Sequence, residues 1–305
     1  MKIIIAGGAG FVGRNLVRVM LQNGFKENEI VVIDFSQENL EFFDDYDIKT
    51  ISADLSQRGE WENEFENSDY IINLAAQISS PQYEPFHRNN VLNTQNLIDV
   101  AKEKGTKRII HFSSAAVLSV RKDDYANTKS EGEDLVKNSG IEYCIIRPSL
   151  MYGPTDDKNI GYLINFARKF PFFPIPGNGK WPRQPIYIDD MCLLVISLIK
   201  DFPTNQIYSI NGKEAIFFKD MIKIVLDEVD GFHFRLFLPV SVFKFSMMFY
   251  QKLKGNEEFT TDQVDSLTAE EVFPDYAWWD EFNITPTSFQ EGVKKMIEQE
   301  SNSTG

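Results

Sequence analysis

The chain opens on Lys2 to Ala6, an apolar and largely β-branched run with no polar interruption, the pattern of a strand buried on both faces. From Phe11 to Gly24 the period changes. Leu16, Val17, Met20 and Leu21 fall on one face of a helix. Further strand-like runs follow at Glu29–Ile33, Ile48–Ser52, Asp69–Leu74, Arg108–Ser114 and Ile141–Arg147. Helical patterns at Tyr83–Lys104 and from Tyr125 to about Asn138 lie between them. Short apolar strands alternating with helices predict an α/β fold with a doubly wound parallel sheet over residues 1–150.

Residues 151–305 predict a smaller, mainly helical part, with about 184–211 returning to the first. Helices are expected at Asn159–Phe170, Asp189–Lys200 and Phe217–Val229, and a strand at Gln206–Ile210. The proline-rich stretch Phe170–Gly179 rejects a helix and reads as a loop over a pocket mouth. Its aromatics suit either stacking on a base or packing beneath the loop. Pro239–Leu253 is strongly apolar and aromatic. Its few basic residues favour a core or partner-facing helix over one lying on a membrane. Gln299–Gly305 reads as a disordered polar tail. With no linker or internal repeat, the two parts are expected to fold as one unit with a cleft between them.

The first turn carries chemistry. Gly7, Gly10 and Gly13 recur every third residue between strand and helix, where Phe11 and Val12 begin the helix. Gly7 permits a tight turn, Gly10 lets the backbone approach a phosphate, and Gly13 allows close helix-to-strand packing. Backbone N–H groups and a helix N-terminus there fit a pyrophosphate. The second strand ends on Asp34, about twenty residues further on, where a carboxylate holds the ribose 2′-OH of a dinucleotide. An acid at that place repels a 2′-phosphate, which favours NAD over NADP. Asp54 and Leu55 close the third strand. Asp54 fits either an adenine contact or a helix N-cap. Small Ala75 and Ala76 after the fourth strand suit close passage of a cofactor. Asn90, Asn93, Thr94 and Asn96 form either a polar face near it or a solvated one.

Composition narrows the field. The 305 residues are 43% hydrophobic and 25% charged, with a formal net charge of −14. That balance suits a globular chain and disfavours nucleic acid or an anionic membrane as partner. Cys144 and Cys192, the only two cysteines, lie in apolar runs and read as buried free thiols. The three histidines are scattered, leaving no metal signature. No membrane span or signal peptide is legible, so a cytoplasmic home is expected.

The fifth strand ends in Ser113–Ser114, and Tyr125 and Lys129 follow four residues apart on one helix face. A phenol with a pKa of about 10 is a poor base at neutral pH. A nearby ammonium and a positive nicotinamide ring favour the phenolate. Tyr125 then serves as base and acid on a substrate hydroxyl, with Ser114 bonded to the same oxygen.

Taken together, Gly7-x-x-Gly10-x-x-Gly13, Asp34, Asp54, Ala75-Ala76, Asn90 with Asn96, Ser114, Tyr125-x-x-x-Lys129, Arg147-Pro-Ser149, Tyr152-Gly-Pro154 and Arg183–Asp190 resemble one family. It is the extended short-chain dehydrogenase/reductases, the NAD-dependent epimerase/dehydratase family, with a Rossmann-like fold. The resemblance implies bound NAD, with Lys129 on the nicotinamide ribose and Tyr125 with Ser114 driving hydride chemistry. It places Asn90, Ser114, Tyr125 and Arg183 against a substrate that is a nucleotide-sugar, Arg183 on its diphosphate. It also implies a homodimer through the helices at Tyr83–Lys104 and Tyr125–Asn138.

Some features depart from that pattern. The loop before Tyr125 is short, Val117-Leu-Ser119 stands for Val-Tyr-Gly, and the tail resembles an atypical branch that includes an accessory subunit of respiratory complex I. Ala115-Ala116 occupies the place of the Asp-Glu pair of 4,6-dehydratases, and dehydration needs that extra acid/base. The expected activity is therefore an NAD-dependent epimerase working through a transient keto intermediate. An oxidoreductase or ketoreductase on a small carbonyl or hydroxyl compound, and a non-catalytic nucleotide-binding scaffold, are the alternatives.

Overall fold

A computed structural model describes residues 1–119, 122–245 and 276–303. The chain makes two compact units, and the first draws on three separate segments, Met1–Ser149, Ile188–Ile210 and Trp278–Ile284. In chain order it begins β1 (Ile3–Ala6), α1 (Phe11–Gln22), β2 (Ile30–Asp34), α2 (Gln37–Leu40), β3 (Lys49–Ser52) and β4 (Tyr70–Asn73). Then come α3 (Tyr83–Phe86), α4 (Asn93–Lys104), β5 (Arg108–Phe112), α5 (Asp124–Lys137) and β6 (Glu142–Pro148). The second unit follows with β7 (Met151–Tyr152), α6 (Ile160–Lys169), β8 (Phe172–Pro176), β9 (Pro182–Arg183) and β10 (Ile186–Tyr187). The chain returns to the first as α7 (Ile188–Lys200) and β11 (Gln206–Ile210), then leaves again as β12 (Ile216–Phe217), α8 (Phe218–Glu228) and β13 (Phe234–Leu238). It ends with α9 (Trp278–Glu281) in the first unit and α10 (Phe289–Ser303) in the second.

Seven strands of the first unit form one parallel sheet in the order β11-β6-β5-β4-β1-β2-β3. Every residue of β1 and β2 is buried, as an unbroken apolar run requires when helices cover both faces. At the edge, β3 instead exposes Lys49 and Thr50, and a charged edge resists pairing with another chain. Ile4, Val31, Ile71, Leu97, Ile109 and Ile145 belong to one core cluster on a face of this sheet. An ion pair between Arg18 and Asp189 ties α1 to α7. Cys144 and Cys192 are buried free thiols.

The stretch read as one helix from Tyr83 to Lys104 is interrupted. Between α3 and α4, His87–Leu92 forms π-helical turns, a wide register that is often found at functional sites. In the second unit α6, α8 and α10 contribute Ile164, Ile222, Val225 and Val293 to a core that also holds Tyr152 and Tyr187. Three two-stranded pairs, β7–β10, β8–β13 and β9–β12, accompany these helices.

Two expectations are corrected here. Phe170–Gly179 contains β8 rather than a plain loop. Pro174 and Pro176 are tolerated because a two-stranded pair leaves each strand an open edge that needs no donor. Within it Phe173 is buried and Phe172 exposed, so its aromatics divide between core and surface. The polar tail does not start at Gln299, since α10 continues to Ser303; glutamate and glutamine propagate a helix already nucleated. Of Pro239–Leu253, residues 240–245 are helical and the rest lies outside the described residues. Among the described residues no helix is long and apolar enough to cross a membrane.

Candidate active site

The turn after β1 is held by backbone contacts. Gly7 has φ +72°, and its N–H donates to the Ile33 carbonyl at 2.8 Å. A Cβ at Gly7 would lie 2.5 Å from the Ala75 N and Cα, so the segment carrying Ala75 and Ala76 rests directly on this glycine. At Gly13 a Cβ would lie 2.2 Å from the Gly8 carbonyl oxygen, so its absence seats α1 on the turn itself, where helix-to-strand packing was expected. Gly10 is different. Its nearest neighbour to a Cβ would be the Gly7 oxygen at 3.5 Å, an ordinary contact, so packing alone does not demand glycine there. Gly10 caps α1 without a side-chain hydrogen bond, and the first helical turn holds no acid. The N–H groups of Phe11, Val12 and Gly13 therefore form a helix N-terminus with positive dipole and no acid in its first turn, which fits a pyrophosphate.

Asp34 is buried beside this turn. Its Oδ2 accepts from the Ala9 N–H and its Oδ1 from the Ser36 N–H, each at 3.1 Å. Each carboxylate oxygen has a second lone pair to offer, so the residue also fits a ribose hydroxyl. Asp54 caps no helix, since the next helical turn starts at Glu60 with Gly59 as its cap. Its Oδ1 accepts from the Ser56 N–H at 3.0 Å and hydroxyl at 2.6 Å, and its Oδ2 pairs with Arg88. Burial pushes the Asp54 carboxyl up, but the bonds from Ser56 and Arg88 outweigh it and hold the group below its usual range. Leu55 is buried, with its carbonyl accepting from Asn96 at 3.0 Å.

Ser114, Tyr125 and Lys129 come together in the first unit. Ser113 is buried, whereas Ser114 is half-buried and its hydroxyl, near the Tyr125 phenol, accepts from the Ala116 N–H at 3.2 Å. Asp123 caps α5 by accepting from the Ala126 N–H at 2.8 Å, which fixes the helix start on which Tyr125 sits. Lys129, one turn further, is only 2% exposed, and its Nζ donates to the Phe112 carbonyl at the end of β5. Burial pulls its pKa down to about 8, against the opposing pull of the Glu133 carboxylate one turn on. Desolvation raises the Tyr125 phenol; the Ser114 hydroxyl pulls it down. Glu133 is itself buried and grips Arg147 of β6 with two hydrogen bonds, 2.8 and 2.6 Å.

Asn90 sits at the centre of the π-helical turns and is wholly buried. Its Oδ1 accepts from the Gln77 N–H at 2.8 Å, while its Nδ2 donates to the Gln77 carbonyl at 3.2 Å and to Thr128 Oγ1 at 3.0 Å. The side chain braces the segment after β4 against α5, next to Lys129.

Sequence reasoning missed the polar layer beneath. Asn73 Nδ2 bridges Thr94 Oγ1 and His111 Nδ1, both at 3.2 Å. Among the described residues His111 Nε2, Asn73 Oδ1 and Ser113 Oγ are buried without a partner. Burial, reinforced by Lys129, keeps His111 far below the usual imidazole range and therefore neutral. The one legible signal was the polar end of β4 and β5. Arg183, expected with the others, belongs to the second unit, buried on β9 opposite Ile216 with Nη1 donating to the Pro182 carbonyl at 2.7 Å. A groove of about 430 Å³ between α4 and α5, lined by Val91, Gln95, Lys102 and Leu135 among others, includes none of these residues.

Residues 3–211 match the model of the NAD dependent epimerase/dehydratase family. A UDP-glucose 4-epimerase of Vibrio cholerae is 25% identical over 295 residues, 88% of this chain and 85% of that protein. A ceramide reductase of Caulobacter vibrioides is 29% identical over 173 residues, 57% of this chain and 53% of the other. The crystal structure of UDP-glucose 4-epimerase with UDP-glucose from Thermotoga maritima superposes with a TM-score of 0.79 at 18% identity, covering 100% of both chains. That likeness is one of fold.

Proposed function

The chain belongs to the NAD-dependent epimerase/dehydratase family, and we propose that it is an NAD-dependent epimerase of a nucleotide-linked sugar. The observation that carries this reading is the meeting of Ser114, Tyr125 and Lys129 at the ends of β5 and α5, in the unit that also holds the uncapped N-terminus of α1. The turn from Gly7 to Gly13, Asp34 and the Ala75–Ala76 segment would hold the NAD. Bound NAD supplies a hydride acceptor and donor that is restored within each turnover.

The chain's own part is proton handling. Tyr125 takes the proton of the hydroxyl being oxidised, and Ser114 donates a hydrogen bond to the same oxygen. Tyr125 returns the proton when the carbonyl is reduced from its other face. Burial opposes the phenolate, so the reaction depends on positive charge nearby, and Lys129, near 8, carries most of its charge at neutral pH. Ala115 and Ala116 bring no further acid or base, which favours epimerisation over dehydration.

A second reading, net reduction of a carbonyl compound, draws support from the ceramide reductase relative. The two part on cofactor traffic. Mass spectrometry of the purified protein, native and then denatured, is expected to show one NAD released per chain. A panel of UDP- and dTDP-sugars then tests turnover, and Tyr125→Phe should lower it by about a hundredfold or more. A protein that purifies empty and consumes NADH with a carbonyl substrate would overturn the epimerase. Wild-type biological function in the Tyr125→Phe protein would point to a nucleotide-binding scaffold.

A further inference from the structure

Two opposite charges are buried on one face of α5. Lys129 is 2% exposed and Glu133 1%. Four residues apart on the helix, their Cβ atoms stand about 5–6 Å from each other. A carboxylate at that spacing ordinarily closes on the ammonium. Here its oxygens are taken from the neighbouring strand. Arg147 of β6 donates from Nε to Glu133 Oε1 at 2.8 Å and from Nη2 to Oε2 at 2.6 Å. Lys129 Nζ donates instead to the Phe112 carbonyl. Lys137, one turn beyond Glu133 and partly exposed, brings its Nζ to 4.0 Å from Oε2.

A buried carboxylate needs a partner that replaces its lost hydration, and a guanidinium with two charge-assisted bonds does so. Held in this way, Glu133 keeps both its charge and its place. Its negative charge one turn away favours the Lys129 ammonium, which burial disfavours. Among the described residues the other groups around Lys129 bring no such support. His111 of β5 is neutral, Tyr125 of α5 is a phenol, and Asn90 of the π-helical turns is an amide hydrogen-bonded to Thr128. Asp123, at the start of α5, bears on Tyr125 instead.

We propose that Glu133 is a positioning residue that keeps the Lys129 ammonium charged for the reaction, and that Arg147, by occupying both carboxylate oxygens, leaves Nζ to the end of β5. Glu133 thus acts on the site through Lys129 and touches neither cofactor nor substrate. A direct Lys129–Glu133 ion pair would hold the charge equally well, but would draw Nζ along the helix and away from Ser114 and Tyr125. The charge on Lys129 is a property of the chain alone; its use in turnover rests on the epimerase reading above.

The test reads that charge directly, by NMR titration of the full nucleotide-free chain labelled at its lysine ε-carbons. The Lys129 resonance is identified by its loss in Lys129→Met. In the wild type it is expected to titrate at about 8. In Glu133→Gln the midpoint should fall by about one pH unit or more. Where that variant fails to fold, Glu133→Met combined with Arg147→Met decides. The fall should persist there, because Glu133 and not Arg147 is the charge that acts on Lys129. Glu133→Asp keeps the charge and should titrate closer to wild type than to Glu133→Gln. An unmoved midpoint without the carboxylate would overturn the proposal, and so would an equal fall in Glu133→Asp, which would assign the effect to packing. With a sugar substrate in hand, the alkaline limb of kcat should move to lower pH by the same amount as the midpoint. A limb that stays in place while the midpoint moves would overturn the role in turnover. A chain with no epimerase activity would sink the reading above and leave the midpoint to decide what Glu133 does.

Discussion

Replacing Lys129 with methionine should make the protein more stable while destroying its activity. The ammonium is buried, and its pKa falls from 10.5 to about 8 for that reason. Each pKa unit is worth about 1.4 kcal/mol, so the folded state bears a penalty of about 3 kcal/mol for holding this charge at pH 7. The hydrogen bond from Nζ to the Phe112 carbonyl returns about 1 kcal/mol, and methionine forfeits it. A net gain of about 2 kcal/mol is expected for Lys129→Met. The sign of its pH dependence follows from the lowered pKa. Below pH 8 both the folded and the unfolded chain carry the proton, and the penalty is complete. Between about 8 and 10.5 the unfolded chain binds more protons than the folded one, so wild-type stability rises with pH. Above 10.5 both are neutral, and the penalty is gone. Urea unfolding of nucleotide-free wild type and variant at steps from pH 6.5 to 10.5 reads this as a difference, in which titrations common to both proteins cancel. The variant should lead at pH 7 and lose its lead as pH rises. A variant less stable than wild type at pH 7, or a difference flat across the range, would refute the reasoning.

The Glu133–Arg147 pair gives a contrasting case. Glu133→Gln leaves a partly buried guanidinium without its carboxylate and should cost about 3 kcal/mol in urea unfolding, whereas the double change to Glu133→Met and Arg147→Met should recover most of that loss. The glycines of the turn should separate folding from binding. Gly7→Ala meets the Ala75 backbone at 2.5 Å from a positive φ and should lower stability by at least about 2 kcal/mol. Gly10→Ala meets nothing closer than 3.5 Å, so its stability should change by about 1 kcal/mol at most while calorimetry shows nucleotide affinity falling more than tenfold. Asp34→Asn should reduce affinity for NAD and narrow its margin over NADP, since the 2′-phosphate no longer meets a carboxylate; unchanged discrimination would remove Asp34 from the ribose.

The elements that were legible in the sequence are those whose period answers to a single environment. Strands buried on both faces, such as β1 and β2, write unbroken apolar runs. That Tyr125 and Lys129 share a face was readable because both stand on one helix, four residues apart. Asn90 was legible as a polar residue, but its hydrogen bonds were not. A π turn carries no signature in hydrophobic period, and nothing in the order of residues says that its amide would be taken up by Gln77 and Thr128. The pairing of Asp54 with Arg88 spans 34 residues, and local patterns are silent at that distance. β8 was hidden by its prolines, whose exclusion from sheets applies to central strands and lapses in a pair. Glu133, four residues after Lys129, was in plain view; its burial was not.

The first unit is completed late. Its sheet has β11 as a border strand paired along β6 from Gln206↔Cys144 to Ile210↔Pro148, and α9 adds wholly buried Trp278. On the ribosome, then, six strands emerge before their neighbour exists, and for some sixty residues of synthesis β6 offers an open, apolar border to any other extended chain. A fragment cut at residue 149 would keep that border permanently. The unit therefore cannot be harvested as an N-terminal piece, and its expression in isolation calls for a graft of the Ile188–Ile210 segment onto the end of β6.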